Sequence, residues 1–417
     1  MTILTLQQAQ RQILAHSRPG LPEMVPLERV LGRIPATAAR ARLAVPSFPH
    51  SSRDGYALLA SDSQETGGAE ETAGYPPRIR LAVVGEIAAG RTRPAKRLQP
   101  GQAYRIMTGG LLPPGADAVI PFERVYREEE DYITLSSPCR PGDYIRPVGA
   151  DLRRGQIIVT PGRPVAPEHL PRLATAGVGE LAVYPRPRVG LLCTGSELLD
   201  DTGENPVPGH LISGNRFLLA GLIRRWGGEP VDLGTVKDDP GAIAAILHRQ
   251  AESGLAMIIS TGGMGPGKYD LVDGVLTRLQ AHLLYRELRL RPGKATMAAL
   301  LGSTLFFGLP GPPPAVHLLF YLLVAPALRR AQGHHRPRPL IVQAHLRQAL
   351  KLRRGRVIQL KDAQLQADRG RLLVRPLPPG ETMNAIILAP ANRRELLPDE
   401  LVRVFPLRQN CHSDLGY

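Results

Sequence analysis

Between residues 188 and 333 the chain alternates apolar runs with amphipathic ones, and this rhythm restricts the folds open to it. Residues 189–193 are an apolar run of strand length. Leu218, Leu219, Leu222, Ile223 and Trp226 then share one face at helical spacing, and Gly227 with Gly228 stops that helix. Residues 230–236 predict a second strand. Asp239 followed by Pro240 is a helix start: a short side-chain acceptor precedes a residue whose fixed φ and missing N–H suit the first turn. Residues 256–260 predict a third strand, 269–279 a third helix, and 304–309 a late strand leading into a long helix that ends near Gly333. The most apolar stretch, 315–328, carries His317 and Pro326 and is too short to cross a bilayer, so it reads as a buried helix. The alternation predicts a three-layer α/β domain with a parallel-type sheet and helices on both faces.

The remainder has a different texture. Leu4, Leu6, Ala9, Ile13 and Leu14 predict a first amphipathic helix, and 25–44 a second, short helix with a connection. From 46 to 140, β-like runs at 78–84, 118–119 and 132–135 are separated by Gly, Pro and Asp. Residues 166–177 read as a helix with Gly177 just past its end. Helical material on both sides of a β-rich stretch predicts a discontinuous helical domain made of 1–45 and 141–178. A β-rich inserted domain of 46–140 lies within it. The α/β domain spans 179–333. Past the Pro-rich linker 334–339, a small β-rich C-terminal domain spans 334–417, from alternation at 340–344, 357–360, 372–374 and 401–404.

The net charge of +15 is carried almost wholly by arginine, scattered with no run that marks a basic tail. Such a field attracts oxyanions and phosphates. No nucleic-acid motif accompanies it, so no nucleic-acid partner is expected. Cys139, Cys193 and Cys411 form no CxxC, which argues against a disulfide framework or a thiolate zinc site and suits a reducing compartment. The first residues lack a basic stretch followed by an apolar block, so a cytoplasmic protein without membrane contact is expected.

Two loops directly follow predicted strands: Thr194-Gly195-Ser196-Glu197 and Ser260-Thr261-Gly262-Gly263-Met264-Gly265-Pro266-Gly267. In open α/β sheets ligands bind beyond the carboxyl ends of strands, and glycines there let the backbone approach an anion. The spacing is neither a Walker A loop nor the dinucleotide pattern. Glu197, Asp238 and Asp270 follow successive strands and can hold a magnesium ion that bridges phosphate oxygens; Asp270 serves equally well as a helix N-cap. Arg291-Pro292-Gly293-Lys294 places two cations in a turn suited to an oxyanion, and Leu309-Pro310-Gly311 shapes a pocket wall.

These segments, together with Asp54-Gly55-Tyr56-Ala57, Ile106-Met107-Thr108-Gly109, Pro114-Gly115-Ala116-Asp117 and Gly149-Ala150-Asp151, resemble the molybdopterin molybdenumtransferase family, related to the C-terminal domain of gephyrin. The resemblance runs from about residue 5 to about 330. It implies a homodimer joined through the discontinuous domain, with adenylated molybdopterin on the α/β domain. Molybdate would replace the adenylate in a magnesium-dependent step that releases AMP. Glu197, Asp238 and Asp270 would organise metal and pyrophosphate, and Arg291, Lys294 and Lys268 would hold oxyanions. Asp54, Thr108 and Asp151 would reach the site from the partner subunit. Thr194, Gly195, Ser196, Gly262, Gly263, Met264, Gly265, Pro310 and Gly311 would line the substrate. A molybdopterin-adenylating protein would be a partner. Met264-Gly265 and Pro312 depart from the family's loops, so the alternatives are a carrier of molybdopterin that does not catalyse insertion, or an insertase specific for tungstate.

Overall fold

The computed structural model describes residues 3–64, 79–90, 95–199, 208–263, 271–378 and 381–407. Helix α1 (Leu6–His16) begins at a capping box formed by Thr5 and Gln8. Its buried face of Leu6, Ala9 and Ile13 packs into the core of the α/β unit, and the Gln10 side chain donates to the Leu322 carbonyl at 2.8 Å. Expected as part of the discontinuous domain, α1 thus sits on a different unit from its sequence neighbours. Residues 25–44 are extended rather than helical. Strands β1 (Glu23–Pro26) and β2 (Ala39–Arg40) flank a single 3-10 turn. Pro26 and Pro35 push the residues before them out of the helical region, which accounts for the difference.

Strand β3 (His50–Ser51) leads into a six-stranded sheet. Its members are β4 (Gly55–Leu58), β5 (Ile79–Ile87), β6 (Gln102–Ile106), β7 (Ala118–Pro121), β8 (Val125–Glu128) and β9 (Tyr132–Leu135), in the order β7-β4-β6-β5-β9-β8. The chain then returns. Strand β10 (Ile145–Arg146) pairs with β3, β11 (Ile157–Val159) with β2, and, after α2 (His169–Thr175), β12 (Glu180–Val183) with β1. Val25, Val30, Leu152, Leu173 and Val183 form one buried cluster from both pieces. The unit is held by short paired strands with one short helix, not by helices alone.

The α/β unit opens with β13 (Arg188–Thr194) and a small pair of β14 (Leu198–Leu199) with β15 (Leu211–Ile212). It continues through α3 (Gly214–Arg225), β16 (Glu229–Val236), α4 (Pro240–Ala251), β17 (Met257–Thr261), α5 (Leu271–Arg278), β18 (His282–Tyr285), β19 (Leu290–Arg291), β20 (Met297–Leu301) and β21 (Thr304–Leu309). The strand order is β16-β13-β17-β21-β20-β18. The first four are parallel, as the alternation predicts; β20 and β18 run antiparallel and make the sheet mixed. Gly302, at positive φ, turns β20 back into β21. The apolar stretch after β21 is a continuous buried helical run: α6 (Pro313–Leu319), a five-residue π segment, and α7 (Ala325–Ala331).

The last unit contains β22 (Val342–Leu346), β23 (Leu350–Lys351), β24 (Ile358–Asp368), β25 (Arg371–Pro376), β26 (Ala385–Ala389), β27 (Glu395–Leu396) and β28 (Leu401–Pro406). The order β24-β25-β22-β28-β26, with β24 also pairing β26, closes a small barrel. Residues 359–363 of β24 face β26 and 363–368 face β25, so one long strand serves both sides. Strand β19 attaches to β24, and Phe405 packs against Tyr321 of the π segment at 6.0 Å.

The central strands meet tightly at their carboxyl ends. A Cβ at Gly262 would lie 2.0 Å from the Thr194 carbonyl oxygen, and Gly262 has φ +94°. Gly262→Ala is therefore expected to lower stability by at least about 2 kcal/mol, read by chemical denaturation, from steric clash and backbone strain together. Beyond α7, His334 is pushed down to about 4 from 6.5 by burial, with Arg329 adding to the effect. In that window the unfolded chain takes a proton that the folded chain refuses, so stability present above 6.5 is lost as pH falls towards 4. The melting temperature of the native chain is expected to fall more steeply across this window than that of His334→Gln.

Candidate active site

The parallel register places four strand ends side by side. Thr194 of β13 lies opposite Val236 of β16, Cys193 opposite Thr261 of β17, and Thr261 opposite Leu309 of β21. The loops leaving those strands therefore share one edge. They carry Thr194 to Glu197, Asp238, Gly262 and Gly263, and Pro310 and Gly311. Thr194 is buried, and its hydroxyl donates to the Thr261 carbonyl at 3.3 Å. Ser196 and Asp238 clasp each other: the Ser196 N–H donates to the Asp238 carboxylate at 3.1 Å, and the Asp238 N–H to the Ser196 hydroxyl at 3.2 Å. The Glu197 carboxylate folds over Gly195, within 2.8 Å of where a side chain would begin. Asp239 acts as the N-cap of α4, accepting from the Gly241 N–H at 2.8 Å.

Two of the loop glycines have their N–H groups engaged within the protein. The Gly195 N–H donates to the Val236 carbonyl at 3.0 Å and the Gly262 N–H to the Leu309 carbonyl at 3.2 Å. Those donors stitch loops to neighbouring strands and are not offered to an anion. The glycines instead permit close approach, as at Gly262. Side chains are also left for a ligand. Glu197 is exposed and Asp238 half-buried.

Asn215, in the first turn of α3, belongs to the same edge and was absent from the expected residues. Its side-chain N–H donates to the Gly311 carbonyl at 2.7 Å, while its Oδ1 is buried without a partner. Ser213, just before α3, likewise has a buried hydroxyl without a partner and does not cap the helix. A buried polar group left unpaired costs about 1–3 kcal/mol, and nothing among the described residues offsets that cost for these two atoms beside the strand edge. The signal in the sequence is the resemblance: Asn215 falls at a motif asparagine of the family, with Ser213-Gly214 where an acidic residue usually precedes it.

A second cluster forms at the rim of the β-rich sheet. Thr108 donates its N–H to Asp54 at 2.6 Å and its hydroxyl at 2.8 Å. These two bonds hold the Asp54 carboxyl below its ordinary range. Gly55 is required beside it, since a Cβ would lie 2.0 Å from the Ile120 carbonyl oxygen. Asp151 is ion-paired with Arg146, which stands opposite His50 in the β3–β10 ribbon. Asp54, Thr108 and Asp151 thus gather around one ribbon. Among the described residues no contact joins them to the strand edge.

Lys294 is exposed and 3.7 Å from Glu287; Arg291 is exposed on β19. Their turn is braced by the Thr296 hydroxyl donating to the Gly293 carbonyl at 2.8 Å, and Gly293 abuts Leu319 of α6. Neither cation touches the strand edge among the described residues. Met264, Gly265, Lys268 and Asp270 lie outside the described residues. Within those described, no group of three or more acidic, histidine or cysteine side chains is set to hold a metal. Glu197 and Asp238 supply two carboxylates on adjacent strand ends, which suits magnesium, a hard cation that takes one or two carboxylates and completes its shell with water and phosphate.

Comparison with known proteins agrees with this geometry. Residues 4–177 match the family model described as the MoeA N-terminal region (domain I and II), and residues 190–330 match that of a probable molybdopterin binding domain. A molybdopterin molybdenumtransferase of Nostoc sp. is 35% identical over 315 residues, covering 75% of this chain and 70% of the relative. That of Bacillus subtilis is 30% identical over 400 residues, covering 95% and 90%. A crystal structure of a molybdopterin biosynthesis MoeA protein from Pyrococcus horikosii superposes with a TM-score of 0.83 at 28% identity, over 98% of this chain and all of that one. The order of paired strands, the shared strand edge and these relatives lead to one assignment: the chain belongs to the molybdopterin molybdenumtransferase family.

Proposed function

We propose that this chain inserts molybdenum from molybdate into adenylated molybdopterin and releases AMP. The observation that carries the reading is the convergence of Thr194 to Glu197, Asp238, Asn215 and Gly311 at one edge of four parallel strands. Asn215 Oδ1 and the Ser213 hydroxyl accept from or donate to the heterocycle, satisfying their own buried atoms. The Ser196–Asp238 clasp fixes the first loop, so the Glu197 carboxylate is held near the ligand with little freedom to lose. When bound, magnesium would be held by Glu197, Asp238 and Asp270 and would neutralise charge on the phosphoanhydride. Arg291, Lys294 and Lys268 would receive the incoming oxyanion, drawn also by the positive field of the chain.

The rim cluster of Asp54, Thr108 and Asp151 completes the site from a second copy of the chain. Two observations support this reading. The cluster makes no contact with its own strand edge among the described residues, and Asp54 is held anionic and rigid by two donors from Thr108, although it is exposed. Exposed apolar side chains at Leu21, Met24, Leu31, Leu43, Val148 and Ile157, all in the two pieces of the discontinuous unit, provide a surface for homodimer formation. The four units proposed are 1–45 with 141–178, 46–140, 179–333 and 334–417, with α1 contributing to the third. A protein that adenylates molybdopterin would supply the substrate. No described helix is long and apolar enough to cross a membrane, and a cytoplasmic site of action is part of the proposal.

Purified chain, adenylated molybdopterin, magnesium and molybdate should release AMP. Asp238→Asn is expected to lower that rate by about a hundredfold, because a carboxylate aimed at developing charge is lost and the Ser196 clasp is weakened; Asp270→Asn tests the residue outside the described set. Tight binding without AMP release would leave a carrier, and release with tungstate alone would name a different oxyanion. Mixing Asp54→Ala with Asp238→Asn, each strongly impaired alone, should restore about a quarter of native activity if each site draws on two subunits, since half of the dimers are mixed and each holds one intact site. No recovery from mixed dimers would overturn the reading that Asp54 completes the site of a second copy.

A further inference from the structure

Far from the strand edge, at the opposite end of α3, a cavity of about 280 Å³ opens between the discontinuous unit and the α/β unit. Five arginines line it. Arg33 is occupied by Glu23 and by the Tyr184 carbonyl. Among the described residues, Arg186, Arg224, Arg225 and Arg329 have no carboxylate within ion-pair distance. Arg224 and Arg225 close the last turn of α3, and Arg329 lies in the last turn of α7. Cations at helix ends are ordinary, and each helix end returns roughly half a negative charge. Two such ends offset about one of the four positive charges, so the cavity keeps a strong net positive potential.

A second observation is independent of charge. Trp226 Nε1 and Arg329 Nε are both buried without a hydrogen-bond partner, and both residues line this cavity. Two orphaned donors in one cationic space, lined also by Gln332 and His334, call for a ligand rich in acceptors. Water could satisfy single donors but would leave the charge uncompensated, and the space far exceeds the roughly 30 Å³ of one water. A phosphate group offers several acceptor oxygens and a double negative charge, and guanidinium forks match its geometry.

We propose that this cavity is a binding site for a phosphate group, free or carried on a small molecule, separate from the strand-edge site. It joins the two units, since Arg186 stands in the segment that leads from one to the other while Arg225 and Arg329 belong to the second. An occupied cavity would therefore fix the angle at which they meet.

Trp226 is the single tryptophan of the chain, so its fluorescence reports on this cavity alone. Titration of the full chain with inorganic phosphate at constant ionic strength is expected to change its emission saturably, with matching heat by calorimetry. Arg224→Gln with Arg225→Gln, both exposed positions, should retain the native melting temperature and weaken phosphate by at least about tenfold. Phenyl phosphate binding in place of inorganic phosphate would identify a carried phosphate as the ligand. No saturable change in emission with either probe up to roughly 10 mM, a level that weak anion sites exceed in affinity, would overturn the proposal. So would calorimetric binding that leaves Trp226 unmoved or is undiminished in the double variant.

Discussion

Everything at the strand edge depends on the backbone register of four parallel strands. Hydrogen bonding sets Thr194 beside Val236, Cys193 beside Thr261 and Thr261 beside Leu309, so the loops that follow leave from one edge. Gly262 makes the meeting close enough to matter: its α-carbon lies against the Thr194 carbonyl in a space that no larger residue could share. Remove that contact and the first loop loses its floor, the Ser196–Asp238 clasp its alignment, and Glu197 its position. The register is itself anchored by a core in which β13, β17, α3, α6, α7 and α1 all bury apolar faces.

The edge is polar but economical with donors. Backbone N–H groups at Gly195, Ser196 and Gly262 are engaged inside the protein, while Asn215 Oδ1 and the Ser213 hydroxyl are buried without a partner and the Glu197 carboxylate is exposed. This division has a physical logic. Loops whose backbone is fully bonded stay rigid, and a rigid loop holds its free side chains in place without a further loss of entropy on binding. The rim cluster repeats the device with different parts, where Thr108 gives both of its donors to Asp54 and keeps that carboxylate charged and fixed.

Much was legible from residue order alone. The periodicity of 188–333 set the helices and the four parallel strands, Asp239-Pro240 marked a helix start that the Gly241 N–H confirms, and the apolar stretch before Gly333 is buried throughout. Less was legible where local signals were weak or shared. Strands β18 and β20 are short and pair antiparallel at the far side of the sheet, and alternation cannot tell a parallel neighbour from an antiparallel one. Residues 25–44 carried apolar spacing that suits a helix, but partners at 157–159 and 180–183 drew them into ribbons. Asn215 was legible only as a motif asparagine, because its partner Gly311 lies far along the chain.

The sequence by itself determined the α/β unit, the two loops after its strands, the acidic residues on them and the family to which their order belongs. These follow from local periodicity and turn chemistry, which act over a few residues. Only the tertiary structure decided that α1 packs on the α/β unit, that the barrel closes through the double pairing of β24, that the loop glycines serve packing, and that unpaired arginines and buried donors converge beside Trp226. Each of those joins residues far apart in the chain, and contacts between distant residues are set by how whole faces bury their apolar area, a property that no short stretch of sequence contains.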